Sequence, residues 1–212
     1  MGTPEPGGLV AARPPVAAMR GAILAGGANR RHGGRPKGLL EVGGRRVIDR
    51  VVEVVTAATG VTPLLVANAP DAARWRADLR TIPDRRPGLG SLGGIYTAVT
   101  AGPGPVLCVA WDMPFLSAGL LRALALGADG FDVFLRDSPG AVYGPGCAPA
   151  IERQLARGDL QAIGFHTHAR VGTLPLDRVR AFGDPEVLFF NLNEPGDLVR
   201  AEEVWSRWGS SP

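Results

Sequence analysis

GAILAGGANRRHGGRPKGLL, at residues 21–40, is the most informative stretch of this chain. The apolar run at residues 22–25 predicts a strand, and two glycines, Gly26 and Gly27, follow it. Next come two arginines, two further glycines and the chain's one lysine, Lys37, before apolar residues resume. Glycine lacks a Cβ, so backbone N–H groups in such a loop can approach phosphate oxygens, whose charge the cations balance. The order therefore predicts a strand, a polyphosphate-binding loop and a helix.

This loop differs from the two commonest glycine-rich phosphate loops. A P-loop places a serine or threonine after its lysine to hold magnesium, whereas Gly38 follows Lys37 here. The dinucleotide fingerprint G-x-G-x-x-G does not match residues 26–31, because two arginines would crowd the tight turn. A surface loop in a chain rich in glycine and arginine remains the alternative interpretation.

Length and composition favour one domain that binds a small anionic ligand. Among the 212 residues, we expect a disordered tail at residues 1–18, rich in Gly, Pro and Ala, and a single domain at residues 19–212. The net charge of +3 comes mainly from arginine and suits an anionic substrate. Lysine and arginine form no block interleaved with aromatic residues, so no nucleic-acid partner is expected. No apolar run approaches the roughly 18 residues of a membrane span, so no membrane association is expected.

The two cysteines predict neither a metal site nor a disulfide. Cys108 lies in an apolar run and is interpreted as a small buried hydrophobic residue, whereas Cys147 lies in a stretch rich in Gly and Pro. Their contexts differ, and their spacing is not that of metal ligands. This use of cysteine favours a reducing cytoplasm.

Strand-like apolar runs alternate with amphipathic helical stretches along the chain. Strands are predicted at residues 22–25, 61–67, 106–111, 131–135 and 187–190, and helices at residues 47–59, 71–79, 95–101, 117 onward and 197–208. This alternation predicts an α/β fold, a Rossmann-like mostly parallel sheet with helices on both faces in a three-layer sandwich. Ligands of such sheets bind outside the carboxyl ends of the strands, so Asn68, Asp112 and Asn191 are expected near the glycine loop.

Three further segments follow the glycine loop in order. Residues 90–95 are GSLGGI, residues 111–116 are WDMPFL, and residues 191–198 are NLNEPGDL. They are similar to the G-P-L-A-G, C-D-M-P-F-L and N-x-N-T-P-x-D-L motifs of the molybdenum cofactor guanylyltransferases, also called molybdopterin-guanine dinucleotide synthases. The glycine loop, with LAGG at residues 24–27, resembles the opening loop of the same nucleotidyltransferase family. The resemblance therefore extends over most of the chain.

The resemblance implies an enzyme that moves GMP from GTP to the phosphate of molybdopterin and releases pyrophosphate, with Mg²⁺ as cofactor. It assigns nucleotide binding to the glycine loop and the strand ends, namely Leu24, Ala25, Gly26, Gly27, Lys37, Asn68, Asp84 and Asp112. It places Asn191 and Asn193 on the acceptor side, near the pterin or the metal, with capping of the last helix as the alternative. It also implies a monomer or weak oligomer that hands its product to molybdoenzymes.

Three side chains have a direct physical case for catalysis. Asp112 is an acid at the end of a predicted buried strand, so its carboxylate suits a magnesium ion that bridges the triphosphate, although capping of the following turn is the alternative. Lys37 and Arg31 would balance the charge that builds up as pyrophosphate leaves, with solvated loop cations as the alternative interpretation. The acceptor phosphate is itself the nucleophile, so no serine or cysteine nucleophile is required.

The choice of base depends on Asp84 and Asn68. A carboxylate can accept hydrogen bonds from N1–H and N2–H₂ of guanine, and cytosine offers no such pair of donors. Both residues have an alternative interpretation as turn residues. Relatives that use CTP tend to carry L-A-A-G where this chain has LAGG, which favours GTP. Use of CTP, a different phosphorylated acceptor, or a nucleotide-binding accessory role without catalysis remain the other hypotheses.

Overall fold

A mixed sheet of seven strands forms the centre of the part of the chain that the structure describes. The structure is a computed structural model, and it describes residues 19–26, 36–137 and 140–208. The predicted tail at residues 1–18 and part of the glycine loop, including Gly27 and Arg31, lie outside these ranges. The strands are β1 (Arg20–Leu24), β2 (Glu41–Val42), β3 (Arg45–Arg46), β4 (Leu64–Val66), β5 (Thr81–Ile82), β6 (Val106–Ala110), β7 (Val133–Asp137), β8 (Gly140–Tyr143) and β9 (Val171–Thr173).

The sheet has the order β5-β4-β1-β6-β8-β7-β9, and β2 and β3 form a separate antiparallel pair. Strand β8 runs antiparallel to both of its neighbours, whereas the other pairs in the sheet are parallel. Leu24, at the end of β1, is paired with Val66 of β4 on one side and Ala110 of β6 on the other. Strands β4 and β6, which both follow β1 in the chain, thus lie on opposite sides of it. The carboxyl ends of β1 and β6 are therefore a topological switch point.

Helices cover both faces of the sheet, as the sequence predicts. They are α1 (Val47–Thr59), α2 (Ala72–Trp75), α3 (Gly90–Thr100), α4 (Ala118–Gly127), α5 (Ala148–Ala156), α6 (Leu176–Arg180), α7 (Pro185–Leu188) and α8 (Pro195–Trp208). Buried residues of α1 and α4 pack with Leu107 and Val109 of β6, and those of α3 and α5 pack with Val106 and Cys108. Alternate residues of one strand therefore belong to two apolar layers, and the three-layer α/β fold is confirmed.

Local chemistry explains why α1 and α4 begin and end where they do. Helix α1 has the predicted bounds, and Gly60 ends it in the left-handed conformation, with φ of 76°, while its N–H donates to the carbonyl of Thr56. Helix α4 begins after Ser117, whose hydroxyl accepts a hydrogen bond from the N–H of Leu120 at 3.3 Å. The helix predicted from residue 117 onward is confirmed, and Leu120, Leu121 and Leu124 form its buried face.

Several predicted elements differ from the structure for identifiable reasons. The strand predicted at residues 187–190 is wrong, because Asp184 caps helix α7 by accepting from the N–H of Glu186, and Pro185 stands at its first position. The helix predicted at residues 71–79 ends at Trp75, where Arg76 turns to an extended backbone and pairs with aspartates. Helix α3 begins at Gly90, five residues before the helix predicted at residues 95–101, and so includes the glycine segment.

The chain after β7 is more regular than its composition indicates. No strand or helix is predicted between residues 136 and 186, but the described part of residues 138–173 contains β8, α5 and β9. Strand β8 is buried along its whole length, between β6 and β7. Its four residues are too few to give a clear alternation of apolar and polar residues. This segment brings a tyrosine, Tyr143, into the interior of the molecule.

Candidate active site

A cavity of about 360 Å³ opens at the carboxyl ends of β1, β4 and β6, which is where the topology predicts a ligand. Eight of the residues predicted to form the site line this cavity: Leu24, Gly26, Lys37, Asn68, Asp84, Asp112, Asn191 and Asn193. Ala25 is not among its lining residues, because its side chain is buried and its N–H donates to the carbonyl of Val66 at 2.8 Å. The other two predicted residues, Gly27 and Arg31, lie outside the described residues.

Asn68 and Asp84 form a reciprocal pair at one end of the cavity. The Nδ2 of Asn68 donates to Oδ2 of Asp84 at 2.7 Å, and the N–H of Asp84 donates to Oδ1 of Asn68 at 2.8 Å. Asn68 follows β4 and Asp84 follows β5, so two adjacent parallel strands supply the two partners. The amide therefore holds the carboxylate in one orientation, and the carboxylate keeps acceptor capacity for a ligand.

The first turn of α3 lies directly against the Asp84 carboxylate. A methyl group placed on Gly93 would be 3.8 Å from Oδ2 of Asp84, and one placed on Gly94 would be 3.7 Å from Oδ1. The N-terminus of an 11-residue helix carries partial positive charge, which stabilises a nearby carboxylate. Gly90, Ser91 and Gly94 of this turn also line the cavity, so little side-chain bulk separates a ligand from the helix backbone.

Lys37, Asp112 and Asn193 meet at the other end of the cavity. The Nζ of Lys37 is 3.1 Å from Oδ1 of Asn193, to which it donates, and 3.6 Å from Oδ2 of Asp112. The exposed fractions of the Lys37 and Asp112 side chains are only 17% and 13%. A carboxylate, an amide oxygen and an ammonium group are thus brought together in a partly dehydrated place, where electrostatic interactions are stronger than in water.

Backbone hydrogen bonds hold the segment around Asn191 and Asn193 beside the end of β6. The N–H of Leu192 donates to the carbonyl of Asp112 at 3.0 Å, and one carboxylate oxygen of Asp197 accepts from the N–H groups of Asn193 and Glu194 at 2.8 Å each. The start of α8 is therefore fixed by Asp197, and the side chain of Asn193 contacts Lys37 instead. This contact favours a role in the site over the capping role that is the alternative for Asn193.

Cys108 and Tyr143 line the cavity, and sequence reasoning did not place them there. Burial raises the pKa of the Cys108 thiol and of the Tyr143 hydroxyl, so both groups stay protonated at neutral pH. Neither is therefore suited to be a nucleophile or a general base. The alternation in the strand containing Cys108 could have indicated which face that residue occupies, but nothing in the sequence marks Tyr143.

The side-chain oxygens that line the cavity suit a hard cation that also binds phosphates. Among residues 19–26, 36–137 and 140–208, no three His, Cys, Asp or Glu residues come together as a metal site. Magnesium typically takes one or two carboxylates and completes its shell with water and substrate phosphates. Asp112 offers such a carboxylate, and Asn191 and Asn193 add amide oxygens around the same cavity.

Comparison with known proteins shows the family of this chain. The model of the MobA-like NTP transferase domain matches residues 21–171 of the chain. The chain belongs to this family. It is a nucleotidyltransferase, and the part of the fold that contains the glycine loop, Asp84 and Asp112 falls within the matched range.

Curated relatives and a solved structure extend the match over most of the chain. A probable molybdenum cofactor guanylyltransferase of Pelotomaculum thermopropionicum is 37% identical over 188 residues, which cover 85% of this chain and 90% of the relative. A molybdenum cofactor guanylyltransferase of Desulfosudis oleivorans is 34% identical over 194 residues, covering 87% and 95%. The crystal structure of molybdopterin-guanine dinucleotide biosynthesis protein A from Archaeoglobus fulgidus superposes with a TM-score of 0.75 at 27% identity, covering 89% of this chain and 99% of that one.

The described residues also bear on the predictions about membranes and cysteines. None of the helices in the described ranges is both long and apolar enough to cross a membrane. Cys108 and Cys147 are both buried and free, in agreement with the prediction that they form no disulfide. Burial raises the pKa of the Cys147 thiol to about 12.

Proposed function

We propose that this nucleotidyltransferase transfers GMP from GTP to the terminal phosphate of molybdopterin and releases pyrophosphate. The observation that carries the proposal is a single cavity that joins the Asn68–Asp84 pair to the group of Lys37, Asp112 and Asn193. One end suits a guanine base and the other suits phosphates. The names of the relatives support the same reaction, since they are molybdenum cofactor guanylyltransferases.

The chemistry needs positioned charge rather than a side-chain nucleophile. An oxygen of the acceptor phosphate attacks the α-phosphorus of GTP, a P–O bond to that phosphorus forms, and the bond from the α-phosphorus to the bridging oxygen breaks. The electron pair leaves with pyrophosphate. The acceptor phosphate is already ionised at neutral pH, so no protein base is required, which agrees with the protonated state of Cys108 and Tyr143.

Lys37 and Asp112 have different roles toward the phosphates. The Lys37 ammonium balances negative charge as pyrophosphate departs, while its contact with Asn193 keeps the amine over the cavity. Asp112, with Asn191 beside it, would hold Mg²⁺. A bound magnesium ion supplies charge neutralisation and alignment of the triphosphate. Gly26 offers its backbone to the same phosphates, and Arg31 is proposed to add a second cation.

Asp84 is proposed to select guanine. Its carboxylate would accept from N1–H and N2–H₂ of the base, with Asn68 holding the acceptor in place. Replacing Asp84 with asparagine is expected to lower kcat/KM for GTP about 10- to 100-fold, since hydrogen bonds to a charged group contribute about 1.5 to 3 kcal/mol. Steady-state rates with GTP and with CTP measure this change. The proposal for Asp84 is contradicted if the ratio of the two rates does not change.

The direct test of the proposed reaction is the release of pyrophosphate from GTP in the presence of magnesium and molybdopterin. Purified protein is expected to release pyrophosphate with GTP and not with ATP, and the guanine dinucleotide product is identified by mass spectrometry. Absence of release, while a positive-control enzyme is active, contradicts the proposed function. Melting with GTP, CTP and ATP separates the hypotheses further, because a ligand at 100 times its dissociation constant adds about 2.7 kcal/mol of stability.

The setting of the reaction is also part of the proposal. Two free, buried cysteines are compatible with a reducing compartment, and we place the enzyme in the cytoplasm. The product would pass from the cavity to an acceptor molybdoenzyme, and the protein would work as a monomer or weak oligomer. Use of CTP, another acceptor, or an accessory role without catalysis is less well supported, because the relatives are guanylyltransferases by name.

A further inference from the structure

Trp111 has a fixed place next to the phosphate end of the cavity. The residue follows β6, it is 1% exposed, and its backbone N–H donates to the carbonyl of Leu24 at 3.3 Å. Its ring stacks on that of Trp75, with centroids 4.8 Å apart and an angle of 23° between the planes. Trp75 is held in turn, because its Nε1 donates to Oδ2 of Asp71 at 3.0 Å. The indole of Trp111 is therefore packed against a residue that is itself anchored.

The same indole lies on the backbone of Gly38. Gly38 is the buried middle residue of the 3₁₀ turn Lys37–Leu39. A methyl group placed on Gly38 would be 2.4 Å from Cε3 of Trp111 and 2.8 Å from Cδ2, which are far shorter than van der Waals contacts. Glycine is consequently required at this position because a side chain would displace either the turn or the ring.

This contact connects Trp111 to the reacting end of the cavity in two ways. Lys37 precedes Gly38 in the turn, and its Nζ lies 3.6 Å from Oδ2 of Asp112 and 3.1 Å from Oδ1 of Asn193. Asp112 follows Trp111 in the chain. Trp111 thus packs against the turn that contains Lys37, and it is the neighbour of Asp112 in the chain.

We propose that Trp111 is a positioning residue for Lys37. The contact of the indole with Gly38 fixes the distance between the 3₁₀ turn and the end of β6. It therefore also fixes the separation of the Lys37 ammonium from the Asp112 carboxylate. The inference rests on the proposed function, since it assigns Trp111 an effect on the catalysed step. A displacement of about 1 Å in a reacting group can lower a rate about 10²-fold, so the packing of one ring on one glycine has a measurable consequence.

Three variants test the proposal: Gly38→Ala, the double variant that combines Gly38→Ala with Trp111→Leu, and Leu124→Ala as a control. Gly38→Ala is expected to lower kcat about 10²-fold with a smaller change in KM for GTP, because the added methyl group pushes the turn from the ring. The double variant is expected to be at least about tenfold faster than Gly38→Ala, because leucine leaves room for the methyl group. Trp111→Phe takes the place of Trp111→Leu if the latter does not fold.

A second readout does not depend on turnover. Lys37 is the chain's one lysine, so acetic anhydride modifies this side chain and the α-amino group, and mass spectrometry distinguishes the two. We expect Lys37 to be acetylated faster in Gly38→Ala than in the unaltered protein, and more slowly again in the double variant. Leu124 is buried in α4 and does not line the cavity. Its replacement by alanine should lower the melting temperature without changing kcat or the rate of acetylation.

The outcomes separate this inference from the proposed function. Gly38→Ala with unchanged kcat and acetylation rate overturns the role of Trp111, and so does a double variant that is no better than Gly38→Ala. An equal loss of kcat in Leu124→Ala also overturns it, because reduced stability would then be sufficient. If the unaltered protein releases no pyrophosphate, the proposed function fails, and the acetylation rates decide whether Trp111 positions Lys37.

Discussion

Replacing Asp112 with asparagine is expected to lower kcat for guanylyl transfer about 10³-fold or more, because the site loses the carboxylate proposed to hold magnesium. Asparagine has the shape of aspartate, and the backbone carbonyl that accepts from Leu192 is unaffected, so the fold should be preserved. The measurement is the rate of pyrophosphate release at saturating GTP over a range of magnesium concentrations. Melting curves establish that the variant is folded.

A matched control for this variant is Asp132→Asn. Asp132 is partly buried and pairs with Arg170, and that contact lowers the pKa of its carboxyl group. It does not line the cavity, so its replacement should leave kcat unchanged. Asp112→Asn with at least half of the unaltered rate at every magnesium concentration would contradict the role given to Asp112.

Replacing Lys37 with glutamine is expected to lower kcat about 10³-fold, since a positioned charge on a transferred or leaving group typically contributes 10²- to 10³-fold. Lys37→Arg should recover only part of the rate, because the planar guanidinium cannot occupy the place of a compact ammonium group between Asp112 and Asn193. Single-turnover measurements isolate the chemical step. GTP with magnesium should also protect Lys37 of the unaltered protein from acetylation.

The control for Lys37 is Arg45→Gln, which removes a cation from the surface hairpin. Arg45 pairs with Glu53 at 2.7 Å, both side chains are exposed, and neither residue lines the cavity. An exposed pair of this kind contributes little to stability, so the variant should behave like the unaltered protein. If Lys37→Gln has the same kcat as Arg45→Gln, the charge-balancing role of Lys37 is contradicted.

The sequence predicts one residue at each end of the cavity because that residue stands directly after an apolar strand segment. Asn68 and Asp112 each follow such a run, and parallel strands bring their carboxyl ends to one edge. The pairing of Asn68 with Asp84 could not be predicted, since β5 has only two residues and gives no periodicity. The resemblance to the family motifs placed Asp84 in the site, and the hydrogen bonds explain how it is held there.

Other parts of the molecule depend on contacts between segments far apart in the chain. The strand predicted at residues 187–190 is apolar and aromatic, but the cap by Asp184 and the proline after it favour a helix, which composition alone does not reveal. The sequence predicts no contact for Trp111, because its contacts with Gly38 and Trp75 are tertiary. The sequence does not show why position 38 is glycine. The contact of its backbone with the Trp111 ring explains it.

The hydrogen bond from Lys37 to Asn193 joins residues that are 156 positions apart, and this has a consequence for synthesis on the ribosome. The Asn68–Asp84 pair spans 16 positions and can form once the first half of the chain has emerged. The group of Lys37, Asp112 and Asn193 is completed only when the segment held by Asp197 has also emerged. A nascent chain would therefore form the contact of Asn68 with Asp84 well before that group, and a chain that ends before Asn193 lacks the amide oxygen to which Lys37 donates.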